Sequence, residues 1–153
     1  MLAPRDVDLS AVLDECFDYD LWANRQWVAA LGGFSNMLRA QQILEHILYT
    51  QKVWLKHCGV EVLTAVENVP MAQLFADMSE AWQMILGDQP IELPIIYTNS
   101  AGRSHQHSIE QIARHVILHG AYHRGQLRGL AESEGFSGYP GTDLIQFFQE
   151  GSV

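Results

Sequence analysis

At 153 residues, 48% of them hydrophobic, the chain has the length and apolar content of one domain with a packed core, expected to span 1–153. Nine Lys+Arg stand against eighteen Asp+Glu, a formal net charge of −9 with no basic run, which argues against a phosphate-backbone partner such as nucleic acid. No apolar run is long enough to span a bilayer, and the Met1–Asp6 start lacks the basic-then-apolar order of a secretory signal, so a soluble cytoplasmic protein is expected.

The first helical pattern runs from about Asp8 to Leu31. Leu9, Val12, Cys16, Asp20, Asn24, Val28 and Leu31 follow the helical step, flanked by Leu13, Phe17, Leu21 and Trp27. Asp6 or Asp8 suits its N-cap, and Gly32-Gly33 its end. A second helix is predicted from about Ser35 to Cys58, with Ser35 or Asn36 as N-cap and Gly59 as stop. Its inner face is read as Leu38, Ile43, His46, Ile47, Thr50, Val53, Trp54 and His57. Cys16 and Cys58 form no CxxC motif and fall in apolar helical stretches, which reads as two buried free thiols.

After a connection over Val60 to Val69, Pro70 opens a third helix. Met71, Leu74, Phe75, Met78, Trp82, Ile85 and Leu86 make a 3.6-residue stripe, closed by Gly87. Pro90 and Pro94 break the pattern. Ile95–Asn99 and Arg103–Ser108 then read as a small β-hairpin around Ser100-Ala101-Gly102. His105 and His107 would share one side of its return strand, as exposed residues.

The fourth long helix is predicted from about Ser108 to Glu134, with a Ser108/Gln111 capping box and Gly135 as stop. Ile109, Ile112, Val116, His119, His123, Gln126, Leu127 and Leu130 are read as its inner face. Gly120, Gly125 and Gly129 are costly in a helix and suggest a neighbour's close approach. A short amphipathic helix over Asp143–Gln149 ends the pattern. The fold class expected is all-α: a four-helix bundle with long crossover connections, a small hairpin before the fourth helix and a short C-terminal helix.

Five of the seven histidines lie on the second and fourth helices. His119 and His123, four residues apart, stand roughly 6 Å apart along one helix face and can share a metal ion. His115 extends the pattern but lies about 12 Å along the axis from His123, too far for the same mononuclear site. A third ligand must come from elsewhere, and His46, set among Ile43, Ile47 and Thr50, is the best candidate. Three neutral imidazoles leave coordination positions open, as catalytic sites do. Imidazole alone does not choose among zinc, nickel, copper and iron. Gly120 stands where a metalloprotease helix would carry Glu, and no Glu-x-x-His pair, Walker A loop, GxGxxG or GxSxG motif occurs.

Three runs carry a family resemblance: Tyr19-Asp-Leu-Trp22-Ala23-Asn24, Glu45-His46-Ile-Leu followed by Trp54-Leu55, and His115-x-x-x-His119-x-x-x-His123-Arg-Gly-Gln126. Together they resemble the DinB-like family of bacterial proteins over nearly the whole chain. The resemblance implies a four-helix bundle, often homodimeric, holding a divalent metal on His46, His119 and His123. Zinc or nickel comes first; iron, manganese and copper are compatible. His115 matches a position where histidine is common but is not a ligand. Relatives resemble thiol transferases and thiol-dependent isomerases. The activity expected is therefore metal-dependent transfer of a low-molecular-weight thiol, or hydrolysis of a small molecule. The alternative is a non-catalytic metal-binding or stress-response protein.

Asn24, Gln126, Tyr49 and Tyr122 are the candidates to hydrogen-bond an imidazole or a substrate. Tyr49, Tyr122 and Gln126 are each i+3 from a histidine, and Asn24 lies mid-stripe on the first helix. Arg124 is expected to point off the metal face, toward a carboxylate at a dimer contact or helix end.

Overall fold

A computed structural model describes residues 7–62 and 68–151 of the protein. Most of them are helical. Four long helices, α1 (Leu9–Ala29), α2 (Met37–His57), α3 (Met71–Asp88) and α4 (Ile109–Glu134), are joined by a two-stranded antiparallel hairpin between α3 and α4. A single α-turn, α5 (Leu144–Gln146), runs into a π-type turn, Phe147–Gly151. Helix α1 packs on α3 and α4, and α2 on α4 and α3. Within the core the Phe17 and Trp82 rings stack at 5.2 Å. Among the described residues no helix is long and apolar enough to cross a membrane.

Most helix ends follow the residues read as caps, although α3 runs through Gly87, read as its end, to Asp88. The Asp8 side chain accepts from Ala11 N, and the Asn36 side chain from Arg39 N. The Ser108/Gln111 capping box is present at α4. Gly59 and Gly135 adopt the left-handed conformation, φ +85° and +72°, that ends a helix without a Cβ penalty. Helix α1 stops sooner than predicted, at Ala29, and continues as a 3₁₀ turn over Leu31–Gly33. The alternative cap Asp6 and residues 63–67 of the connection to α3 lie outside the described residues.

The hairpin is offset by a residue from its expected ends. Strands β1 (Pro94–Thr98) and β2 (Ser104–Ser108) pair in the register Ile96↔Gln106. Its turn is built on Asn99, whose side-chain oxygen accepts from Ala101 N and Arg103 N. The carbonyls of Leu93 and Ile91 accept from Ile109 N and Glu110 N, so the approach to the hairpin satisfies two otherwise orphaned amides of α4.

Three inner faces are rotated from those predicted. On α1, Leu9 and Val12 are exposed, and the buried stripe is Leu13, Phe17, Asp20, Asn24 and Trp27. On α2, Leu38 is exposed and the face centres on Leu44, Ile47, Gln51 and Leu55, with His46 at its edge. On α4 the buried face takes in Ala113, Ile117, Gly120 and Arg124. His119 and His123 stand half-buried on its margin. Both cysteines are half-buried rather than fully so, and burial pushes the Cys58 thiol up to about 11.

The rotation of α4 is explained by a buried polar cluster. Asp20 and Arg124, each 3% exposed, form an ion pair at 2.7 Å. The Arg124 Nη1 also donates to the Asn24 side-chain oxygen, 2.8 Å. Asn24 Nδ2 and Gln51 Nε2 donate to the second Asp20 oxygen at 3.0 and 2.7 Å. Arg124 thus holds a carboxylate in the core, not at a dimer contact or helix end. Room for it comes from Gly120: a Cβ there would sit 2.7 Å from Asp20 Oδ1 and 3.0 Å from Arg124 Nη1. A Cβ on Gly125 or Gly129 would meet nothing within 4 Å, so close approach accounts for one of the three glycines alone.

Alanine substitutions at these glycines should therefore differ in sign. Gly129→Ala should stabilise the fold by about 0.5–1 kcal/mol through helix propensity. Gly120→Ala should destabilise it by about 1–3 kcal/mol, because the new methyl crowds the ion pair. Urea denaturation of both variants measures this; a Gly120→Ala protein as stable as Gly129→Ala would refute the close-approach account.

Candidate metal centre

Three histidines from two helices converge at the edge where α2 meets α4. His46 comes from α2, His119 and His123 from successive turns of α4. Their ring centroids lie 5.0 Å (46–119), 4.4 Å (46–123) and 4.3 Å (119–123) apart. One nitrogen from each ring falls within 4.8 Å of the others, a group that could hold a metal ion. His46 is exposed and the other two half-buried, so the cluster opens to solvent.

The protonation pattern suits cation binding. Gln126 Oε1 accepts from His123 Nδ1–H at 2.7 Å, so in the neutral ring Nε2 carries the lone pair, 3.0 Å from His119 Nε2. Burial first, then the neighbouring His123, His46 and His115, push the His119 imidazole down to about 4. Burial and His123 lower His46 as well. Neutral imidazoles crowded nitrogen to nitrogen are the form in which histidine ligates a metal. A metal-bound histidine characteristically gives its other N–H to an acceptor, as His123 does to Gln126.

The remaining candidates separate clearly. The Tyr122 ring meets His123 edge-on at 5.1 Å but is 69% exposed. Tyr49 is 65% exposed on the same side of α2. Asn24 is buried, and its hydrogen bonds run to Asp20 and Arg124 rather than to an imidazole. His115 is exposed and stays outside the group of three; its ring lies 5.8 Å from His119 and 5.5 Å from Trp54. His105 is exposed and His107 half-buried on β2, their rings 6.3 Å apart and stacked.

Gln51 had no place in the sequence reading; Asp20, one turn before Asn24 and like it a candidate to support an imidazole or a substrate, and Arg124, expected off the metal face, join it instead in the polar core beside the site. Two signals pointed to them: Asp20 in the middle of an otherwise apolar stripe, and Gly120 one position after a histidine.

The largest of the described cavities, about 590 Å³, lies on the other margin of α4, against Tyr19, Trp27, Arg124 and Tyr139, and includes none of the three histidines. A smaller one, about 280 Å³, adjoins them through His115 and is lined by Trp54, Tyr97, His107, Gln111, Ile112 and His115.

No solved structure matches the chain. Protein DinB of Bacillus subtilis (strain 168) is 22% identical over 149 residues, covering 81% of this chain and 87% of that protein. The family model described as the DinB family matches residues 11–143, a span that includes α1 from its first turns, the three histidines and the start of the C-terminal segment. The chain belongs to the DinB family.

Proposed function

We propose that the protein is a metal-dependent enzyme whose ligands are His46, His119 and His123, with a small-molecule substrate and zinc or nickel as the preferred ion. The observation that carries this is the convergence of three imidazoles, one nitrogen each within 4.8 Å, on a solvent-facing edge. Among the described residues no Cys, Asp or Glu joins them as a fourth ligand, so coordination positions remain for water or substrate. Four helices around the polar cluster fit the four-helix-bundle architecture in which such sites are built from facing helices.

A bound divalent ion supplies a water of pKa near ~7 or holds a thiol as thiolate. Gln126 keeps His123 in the tautomer that presents Nε2. Neutral His119 stays available to a cation through the physiological range. The exposed Tyr122 ring stands edge-on to His123, where a substrate would enter. Thiol transfer to an electrophile is the favoured chemistry, with small-molecule hydrolysis using the same open positions. A non-catalytic metal-binding role is the second reading, favoured by one fact: among the described residues no carboxylate joins the cluster to act as an acid or base.

Metal content tests the ligands. Wild-type protein dialysed against zinc or nickel should retain about one ion per chain by elemental analysis, and His119→Ala or His123→Ala none. Gln126→Ala should bind roughly 10–100-fold more weakly. A full complement in the His119→Ala/His123→Ala double variant would sink the site. Activity tests the chemistry: metal-loaded protein should conjugate a low-molecular-weight thiol to an electrophile faster than His46→Ala, and equal rates would exclude that reaction for the pair used.

Acid sensitivity follows from His119. The unfolded chain protonates this side chain near 6.5, whereas the folded, metal-free protein resists until about 4. In that window the unfolded state binds more protons, so stability falls as pH drops from about 6.5 to about 4. The melting temperature of metal-free wild type should fall more between pH 7 and pH 5 than that of His119→Gln. Equal falls would contradict the assignment.

A further inference from the structure

The 280 Å³ cavity lies in the same groove between α2 and α4 as the three histidines. His115 joins the two places. Its ring is 5.8 Å from His119 on one side and 5.5 Å from Trp54 on the other. The axial offset from His119 to His115 is one helical turn, about 6 Å. The hairpin closes the groove beyond it. Tyr97 of β1 meets Trp54 edge-on at 4.9 Å, and its hydroxyl is hydrogen-bonded to His107 Nδ1 at 2.8 Å.

The walls are flat and mostly carbon: the Trp54 indole, the Tyr97 phenol, the His107 and His115 imidazoles, and Ile112 beneath. The Tyr97 hydroxyl and His107 Nδ1 already satisfy each other. Such walls favour a planar apolar group through offset and edge-to-face contacts. A cavity of about 150 Å³ suffices to hold benzene, so this one takes an aryl ring with a short linker.

We propose that this cavity is a specificity pocket for the metal site. It seats an aryl group of a substrate whose donor atom sits at His46, His119 and His123; its nearest wall, His115, is one helical turn (~6 Å) from His119, and its Trp54 wall two turns (~12 Å) from His46. Trp54 and Tyr97 are the residues that read it. This rests on the metal-site reading above and adds the substrate class: a small molecule with a metal-binding group and an aromatic ring joined by a short linker.

The test uses cobalt(II)-loaded protein and two thiols of similar acidity, 2-phenylethanethiol and 2-mercaptoethanol, with binding followed by thiolate-to-cobalt absorption. Wild type should bind the aryl thiol at least tenfold more tightly than 2-mercaptoethanol. Trp54→Ala should shrink that ratio to under threefold while leaving 2-mercaptoethanol affinity unchanged. Tyr97→Ala, on the hairpin, should do the same and decides the matter if Trp54→Ala does not fold. Cobalt uptake with equal affinities for both thiols, or a ratio that survives both substitutions, overturns the pocket and leaves the metal site standing. Failure of wild type to take up cobalt overturns the metal reading and this proposal together.

Discussion

One buried carboxylate sets the geometry of the rest. Asp20 on α1 receives Arg124 from α4, Gln51 from α2 and Asn24 from its own helix. An ion pair this deep is expensive to desolvate, and it contributes little to net stability beyond what apolar residues of the same volume would. Its larger effect is on specificity. A helix held by greasy contacts alone can rotate or slide at small cost. A helix whose guanidinium must reach one oxygen in the core cannot, because breaking the pair leaves an uncompensated charge worth about 3–5 kcal/mol. The pair therefore fixes both the rotation and the height of α4.

The consequence falls on the three histidines that could hold a metal ion. Arg124 follows His123 directly, and Gly120 follows His119. Successive residues on a helix lie about 100° apart. Turning Gly120 and Arg124 to the centre of the core thus turns His119 and His123 onto its margin, facing α2. Gln51 does the same for α2, five residues beyond His46. Three imidazoles are brought to one edge by a network that touches none of them. The three rings are crowded, and burial with the neighbouring imidazoles holds His119 in its neutral form. The polar core supplies the rigidity that such crowding requires, much as an outer shell of hydrogen bonds does for a metal ligand.

This division explains what the sequence made legible. The spacing of His119 and His123 was readable because helical periodicity is local. His46 was readable as a polar residue among Ile43, Ile47 and Thr50. The caps at Asp8, Asn36 and Ser108 and the stops at Gly59 and Gly135 were equally local. The centre of each inner face was not readable. Counting apolar positions placed the histidines mid-face on α4 and left Arg124 outside, because a charge has no apolar weight until its partner is known. That partner, Asp20, is 104 positions away. The same blindness spread the close-approach expectation over Gly120, Gly125 and Gly129, when the space is taken at Gly120 alone. Asn24, read as a possible support for an imidazole, belongs to the Asp20–Arg124 cluster for the same reason.

Two cavities of unequal size flank α4. The 590 Å³ cavity beside Tyr19 and Tyr139 is twice the volume of the one beneath the hairpin, yet α4 separates it from the imidazoles. The smaller of the two lies on the histidine side of α4, joined to the cluster through His115. The hairpin then acquires a purpose beyond connecting α3 to α4. A two-stranded ribbon is marginal by itself. This one is held at its base by Leu93 and Ile91, whose carbonyls accept the first amides of α4, and at its face by Tyr97 against Trp54. Fastened to the same helix that carries His119 and His123, it holds Tyr97 and His107 beside Trp54 and His115. The polar core thus governs both ends of the groove, through the rotation of α4 at the histidines and through the seat that α4 gives the hairpin.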